Sequence, residues 1–516
     1  MSFTESLDKI IEQNRNHLVG THSTWCRVPL ANIASILNGF PFESRLFTRS
    51  PAKAEPLIRI RDVVRGWTDT YYSGAFDPAY VVKNGDLLVG MDGDFNSSVW
   101  RGTSGLLNQR VCKVNVTSAY YEPRFLAYCL PGYLSAINAN TSSITVKHLS
   151  SNTLACIPLP LAPLREQAEI ADALDELFSD LDAGVAALER VRGKLRLYRA
   201  SVLKAAVEGT LTAEWRTQHP HTEPATERLK RILAERRRLW EVARLGSRKK
   251  YKEPIAPDPD KAVLLPGGWI WGSFDQVVWH LRSGNSESSG RKVTDWPVLR
   301  SSAVRHGVID LADLNYLQKA QSLRSDNFLQ RRDFLITRLS GSVSYVGCSA
   351  AVKDTGCDGI QYPDRIFCAK LVPGIDGTFL SYCFQQSGVR KKLEEAAKST
   401  AGHQRISISD LLPLSFPLPP LSEQEMIVEC VEDQLSVIDH LDADIKAKVM
   451  GTSALRQSIL RHAFTGQLVM QDPNDEPASE LLKRMSAVRE AASHEKSAGF
   501  AKKTRNIVRH PTHLKG

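Results

Sequence analysis

Arginine pairs with guanine through two hydrogen bonds in the major groove, and asparagine or glutamine does the same with adenine. Residues of these and related polar types interrupt the strand-like alternation at Asn96, Arg101, Arg110 and Lys147 in the first half of the chain. In the second half they do so at Arg338, Ser342, Arg365, His403, Gln404 and Arg405. A surface charge or a strand-end ion pair accounts for any one of them equally well, and the matching places of Arg110 and Arg365 in the two halves fit a structural duty too. Reaction chemistry has no comparable foothold. Gly193-Lys194 is followed by Leu195, so no Gly-x-x-x-x-Gly-Lys-Ser/Thr phosphate loop is written. The one Pro-Pro pair, Pro419-Pro420, lies between Leu418 and Leu421 and not in an Asn/Asp-Pro-Pro-aromatic motif. The histidines lack metal-ligand spacing, and Asp92-Gly93-Asp94 reads as a solvated loop sooner than a cation site.

The residues named above need a frame, and bulk properties bound it. A chain of 516 residues exceeds a single core, and its 42% hydrophobic and 24% charged composition is that of a folded protein. The net charge of +9 tilts the partner towards a polyanion. The nine cysteines contain no Cys-x-x-Cys pair, so buried, reduced thiols are expected and a zinc knuckle is not. The polar, amphipathic N-terminal segment is unlike a secretory signal, and Pro158, Pro160 and Pro163 break the longest apolar run, so a cytoplasmic location and no membrane contact are expected.

The organising feature is an internal repeat. Pro-Leu-Arg-Glu-Gln at 163–167 recurs as Pro-Leu-Ser-Glu-Gln at 420–424, an offset of 257 that holds without a gap to Gly209 and Gly466. Glu-Pro-Ala-Thr-Glu-Arg-Leu-Lys-Arg at 223–231 recurs as Glu-Pro-Ala-Ser-Glu-Leu-Leu-Lys-Arg at 476–484. Strand-rich regions precede both helical blocks. They open at Trp25 and Trp271, and Gly85-Asp86-Leu87-Leu88-Val89 answers Arg332-Asp333-Phe334-Leu335-Ile336.

No proline interrupts Glu166–Trp215 or Glu423–Met470, which predicts one long helix for each. Apolar residues spaced by three and four form a seam in both: Ile170, Leu174, Leu177, Leu181, Leu188 and Val202 in the first, Ile427, Val431, Ile438, Leu441, Ile445 and Ile459 in the second. Stripes of this kind need a partner, because burying each large aliphatic side chain is worth ~1.5 to 3 kcal/mol and an isolated helix gains little from propensity. Gln434, Thr452 and His462 stand where the first stripe has Leu177, Leu195 and Ala205, which favours pairing of the two unlike helices over pairing of identical copies. A strand-rich domain before each helix favours an antiparallel pair, since parallel helices would crowd both domains at one end. Glu166, Gln167, Glu423 and Gln424 suit the helix N-termini, where carboxylates complement the dipole, with partner docking as the other reading.

The twice-written Pro-Leu-x-Glu-Gln, the long helix after it and the strand-rich region before it resemble the specificity subunit of type I restriction-modification systems, over roughly residues 21–490. The lead-ins Ile157–Leu164 and Phe416–Leu421 look like that family's entry into its spacer helices, and Gly402-His403-Gln404-Arg405-Ile406-Ser407 resembles its glycine-containing turn. The first half departs there, with Thr141-Ser142-Ser143-Ile144-Thr145-Val146-Lys147. The resemblance implies an α+β fold with two similar target-recognition domains separated by two long antiparallel coiled-coil helices in a pseudo-twofold arrangement. The divisions are an N-terminal helical extension (1–20), target-recognition domain 1 (21–162), a long spacer helix (163–216), a basic helical linker (217–265), target-recognition domain 2 (266–419), a second spacer helix (420–470), and a C-terminal helix with a basic tail (471–516). It further implies a bipartite, asymmetric site on double-stranded DNA, with two methyltransferase subunits and restriction (nuclease/translocase) subunits as partners. S-adenosylmethionine, ATP and Mg would bind those partners, and this chain would hold no cofactor and perform no catalysis. A non-enzymatic scaffold holding two protein-binding domains apart is the competing reading, to be separated by salt-dependent binding to random duplex.

Overall fold

The computed structural model describes residues 6–13, 18–20, 22–141, 147–243, 250–258, 264–319, 323–353, 359–400 and 403–490. Gly402, most of the 141–147 segment and the basic tail from Lys496 lie outside them. The chain forms two compact units, residues 1–188 with 446–516, and residues 189–445.

In the first unit a four-stranded sheet runs in the order Ala34–Asn38, Val111–Val116, Leu87–Gly90, Ser97–Val99. All its pairings are antiparallel. Strand Leu87–Gly90 is buried throughout. Its sequence is accordingly a continuous apolar run and not an alternation. Helix Pro123–Ala139 covers this sheet, contributing Phe125, Leu126, Leu130 and Tyr133 to the core, and Ile10 and Ile11 of helix Leu7–Gln13 join the same cluster. A two-stranded ribbon, Cys26–Pro29 against Pro158–Leu161, closes the domain just ahead of the first long helix. Its edge position tolerates the prolines that cannot donate to a ladder.

The second unit repeats this plan. Its four-stranded sheet has the matching order Val278–Ser283, Ile366–Leu371, Asp333–Thr337, Ser349–Ala351, and its ribbon joins Ile270–Ser273 to Ser415–Leu418. Where one helix covers the first sheet, two short ones, Gly377–Gln385 and Ser387–Ala396, follow each other here. The break falls at Gln386, whose extended backbone ends the first and starts the second. The two units differ most in what is inserted beside the four-stranded sheet. The first carries a five-stranded sheet of Phe47–Thr48, Tyr71–Tyr72, Glu55–Ile58, Gly105–Leu107 and Val81–Val82. The second carries a three-stranded sheet of Ser289–Gly290, Leu314–Leu317 and Pro297–Leu299, with a separate hairpin at Val304–Ile309.

The long helices are Leu164–Glu208 and Leu421–Phe464, of 45 and 44 residues. At ~1.5 Å rise each is about 66 Å long. Both stop short of the next proline. Gly209 (φ +75°) and Gly466 (φ +69°) take the left-handed conformation that ends a helix, and the first continues only as a separate short helix, Ala213–Gln218.

Within each unit the two long helices run antiparallel. In the first unit Asp182 pairs with Arg456, and Arg165 with Asp472 at 3.2 Å. In the second, Arg192 pairs with Asp442 at 2.8 Å, and Arg199 with Asp439. The seam is narrower than the sequence stripe. Ile170, Leu174, Val202, Ile427, Val431, Ile438 and Ile445 are buried, and Leu181, Leu188 and Ile459 are half-buried, but Leu177 and Leu441 are 36% and 43% exposed. Two helices cover each other along one line only, so residues flanking that line stay wet. Ile170 and Leu174 gain their burial from the domain core around Phe125, and Val202, Ile427 and Val431 from that around Phe379. The ends of the helices are thus core elements, which the heptad pattern alone does not show.

Candidate nucleic-acid interface

A shared backbone frame builds the candidate surface twice. In the first unit the amide of Met91 donates to the Arg110 carbonyl at 3.0 Å, and that of Leu149 to the Met91 carbonyl at 2.6 Å. In the second, Arg338 donates to Arg365 at 2.8 Å and Ile406 to Arg338 at 3.1 Å. Met91 therefore corresponds to Arg338, Arg110 to Arg365, and His148 to Arg405. The cross-strand partner of His148 is Asp92, and that of Arg405 is Leu339.

The second unit gathers its candidates around strand His403–Arg405, which lies between Leu339–Ser340 and Lys398–Thr400. His403 and Arg405 are exposed and Gln404 is half-buried on this strand. Arg365 is exposed beside Arg338 and Leu339, both of whose amides reach its carbonyl. Ser342 is exposed just beyond, with its hydroxyl 2.8 Å from that of Ser344. Arg338 departs from the expectation. Its guanidinium donates to the Asp364 carbonyl at 3.0 Å and lies over the Phe367 ring, so it braces the turn instead of facing outward.

In the first unit Arg110 is well exposed and ion-paired to Asp92 at 3.1 Å, and Arg101 is exposed. Two candidates are turned inward. Lys147 donates to the Asn138 carbonyl at 2.6 Å and to its side-chain oxygen at 3.0 Å, which occupies the ammonium at the C-terminal end of helix Pro123–Ala139. Asn96 folds over Gly90, where a Cβ would stand 2.7 Å from its Oδ1, and that oxygen is shielded from solvent. The Asp92-Gly93-Asp94 loop is tied down by protein: His148 Nδ1 lies 2.6 Å from the Asp92 carboxylate that also holds Arg110. Sequence reasoning missed His148, although the gapless offset of 257 extended back from Pro163 sets it opposite Arg405.

The docking expectation for Glu166, Gln167, Glu423 and Gln424 is overturned by burial, since none is more than 3% exposed. They form a lock in each unit. Trp25 Nε1 donates to Glu166 at 3.0 Å, and Trp269 Nε1 to Glu423 at 2.8 Å. The repeat thus opens at Trp269, and Trp271 lies two residues further on, within the ribbon. Gln167 takes the Glu122 amide and donates to the Ala162 carbonyl at 2.8 Å, while Gln424 takes the Asp376 amide and donates to the Pro419 carbonyl at 3.0 Å. The second oxygen of each glutamate holds the chain that follows the other long helix: Gln471 at 3.0 Å from Glu166, and Arg216 at 2.7 Å with Thr212 at 2.8 Å from Glu423. Each lock joins the start of one long helix, the segment beyond the end of the other, and the entry of the domain.

The described part of the basic run 230–252 is likewise more occupied than its charge suggests. Arg236 is buried, donating to the Asp275 and Val278 carbonyls and pairing with the Asp275 carboxylate at 2.8 Å. Lys230, Arg231, Arg237 and Arg238 each pair with a glutamate. Among the described residues there is no group of three or more His, Cys, Asp or Glu side chains that could hold a metal ion, and no helix long and apolar enough to cross a membrane.

A duplicated sheet domain, each copy locked to a long helix and presenting a small polar surface at a shared backbone frame, defines a two-headed recognition protein. Residues 22–189 match the family model of the type I restriction modification DNA specificity domain. The chain is 34% identical over 508 residues to the EcoBI specificity subunit of Escherichia coli, covering 96% of this chain and 99% of that one. It is 24% identical over 497 residues to the EcoKI specificity subunit of Escherichia coli strain K12, covering 92% and 97%. The solved specificity subunit of Thermoanaerobacter tengcongensis is 16% identical, with a TM-score of 0.46, over 86% of this chain and 97% of that one. The chain belongs to the family of type I restriction enzyme specificity subunits.

Proposed function

We propose that this protein is the DNA-reading subunit of a type I restriction-modification complex, with each unit recognising one part of a bipartite, asymmetric sequence. It is a non-catalytic subunit, and methylation and cleavage reside in its methyltransferase and restriction partners. The observation that carries the reading is the duplicated frame: the same four-stranded sheet and the same hydrogen bonds around Arg110 and Arg365 occur twice, while the inserted sheets beside them differ. Two unlike readers on one scaffold are what an asymmetric, two-part target requires. Each mismatched base pair costs ~1 to 3 kcal/mol, so one small reader discriminates poorly, and joining two makes the second encounter intramolecular.

In this scheme two methyltransferase subunits flank the paired helices, and the restriction subunits complete the assembly. S-adenosylmethionine, ATP and Mg bind those partners. The target adenine leaves the base stack for methylation in a partner's site. Mapping methylated adenines by long-read sequencing, in cells with and without the gene, tests this directly. A two-part motif that vanishes with the gene is expected, and a methylation pattern unchanged by its loss would overturn the proposal.

A further inference from the structure

The internal repeat gives each position in the interface its own control, and at the matched positions Asp92 and Leu339 a carboxylate stands in one unit and an aliphatic side chain in the other. In the first unit Arg110 and His148 flank Asp92, at 3.1 and 2.6 Å from its two carboxylate oxygens. Their side chains are 61% and 63% exposed, while that of Asp92 is 14% exposed, so the carboxylate sits beneath two groups that face solvent. In the second unit the matching residues are Arg365, Arg405 and Leu339. Both arginines are exposed, and among the described residues no carboxylate pairs with either guanidinium. Leu339 stands directly across the ladder from Arg405, as Asp92 does from His148, so the two side chains leave the same face of matching strands.

We propose that Asp92 is a built-in counter-charge that screens Arg110 and His148 from duplex DNA, whereas Leu339 leaves Arg365 and Arg405 open to it. The consequence is a division of labour that rests on the DNA-reading function above. The second unit supplies the larger share of salt-dependent, sequence-independent grip. The first engages only by exchanging Asp92 for an acceptor on DNA, a phosphate oxygen or a guanine edge. Such an exchange is feasible because an ion pair whose cation is exposed is weak and readily replaced. It discriminates because an acceptor in the wrong place leaves Arg110 with its carboxylate.

The test uses the full chain assembled with its methyltransferase subunits, and a random-sequence duplex as probe. Binding constants are measured between 50 and 200 mM salt for the wild type, Asp92→Asn, Leu339→Asp and, as a steric control, Leu339→Asn. Each phosphate contact adds ~0.9 to the slope of log affinity against log salt. Asp92→Asn is expected to steepen the slope by about that amount, binding more tightly at 50 mM with an advantage that shrinks about threefold by 200 mM. Leu339→Asp is expected to flatten the slope, and Leu339→Asn to leave it as in the wild type. Thermal melting and assembly with the partner subunits establish that each variant is folded. Should Asp92→Asn fail to assemble, the contrast between the two Leu339 variants decides. Parallel lines for Asp92→Asn and the wild type, or equal slopes for the two Leu339 variants, would overturn the counter-charge. A wild-type complex whose binding is indifferent to salt would instead overturn the DNA-reading function, so the two failures are distinct.

Discussion

Replacing Glu423 by glutamine removes a charge from a site that is 1% exposed and crowded with donors. One carboxylate oxygen accepts from Thr212 Oγ1 at 2.8 Å and from Arg216 at 3.0 and 2.7 Å, and the other from Trp269 Nε1 at 2.8 Å. A glutamine has one acceptor and one amino group. With its oxygen towards Arg216, its NH2 meets the indole N–H, so one hydrogen bond is lost and Arg216 keeps no counter-charge. A hydrogen bond to a charged group contributes ~1.5 to 3 kcal/mol, and breaking a buried pair costs ~3 to 5. Arg216 is 23% exposed and water relieves part of that, so about 3 kcal/mol is expected. Glu166 provides the control. Its partners, Trp25 and Gln471, are neutral, and a flipped Gln471 amide can accept from the new NH2, so Glu166→Gln should cost only ~1 kcal/mol. Because a chain of two units need not unfold in one step, the assay is hydrogen exchange read by mass spectrometry over 421–431 and 164–174. Accelerated exchange by about a hundredfold in the first segment for Glu423→Gln, and by less than tenfold in the second for Glu166→Gln, is the expected contrast. Equal effects would refute the assignment of the difference to Arg216, and a cycle with Arg216→Met would measure the coupling itself.

Lengthening both long helices together by one heptad should change the unread spacer between the two half-sequences and leave both half-sequences as they were; a methylation-site map with altered half-sequences and an unchanged spacer would contradict a spacing set by the helices. Ile427→Ala, at a fully buried position, should cost ~2 to 5 kcal/mol, against less than ~1 for the 43% exposed Leu441→Ala. Urea midpoints of the second-unit transition give the comparison, and similar losses would mean that the outer stripe is packed in solution. His306 is held neutral by burial and by the nearby Arg390 and Arg305, its pKa lowered from 6.5 to about 4. The unfolded chain therefore binds the extra proton first, and stability present above pH 6.5 is lost as pH falls towards 4, by up to about 3 kcal/mol. The difference between the wild type and His306→Gln should shrink accordingly from pH 7 to pH 4.5 in denaturation curves, and a constant difference would show that His306 titrates normally.

The repeat was legible where nothing is inserted. From Leu149 and Ile406 to Gly209 and Gly466 a single offset of 257 holds, because ladder partners and an unbroken helix tolerate no added residue. Upstream, the unlike inserted sheets shift the offset, so the sequence alone sets Trp271, and not Trp269, opposite Trp25. The helix ends are not legible in the sequence for a different reason. Absence of proline shows where a helix can continue, but Gly209 and Gly466 end it because the chain must turn to bring Arg216 and Gln471 back to the locks. Side-chain direction was beyond reach: Lys147 and Arg338 have the chemistry to read DNA, yet each has an acceptor within the fold at about 3 Å or less.

Locks and the proposed reading surfaces are built from different parts of each unit, and this bears on how the unit can change its target. The tryptophan of a lock stands just before the ribbon and the glutamate in the first turn of the long helix, whereas Arg110 and Arg365 precede the second strand of the four-stranded sheet, at the side carrying the inserted sheets. Two of these insert strands, Glu55–Ile58 and Gly105–Leu107, pair parallel and bury Leu57 and Leu106 in a small cluster of their own with Phe42 and Tyr72. The other face of the same strands, Ile58 and Leu107, packs with Leu88 and Val111 of the four-stranded sheet, so it is the outer cluster that can be rebuilt with least disturbance to that sheet, since substitutions without shared partners act nearly independently. Under the proposed reading, selection on the half-sequence acts on the outer cluster of the inserts and on charges such as Asp92, while the locks keep the helix register fixed.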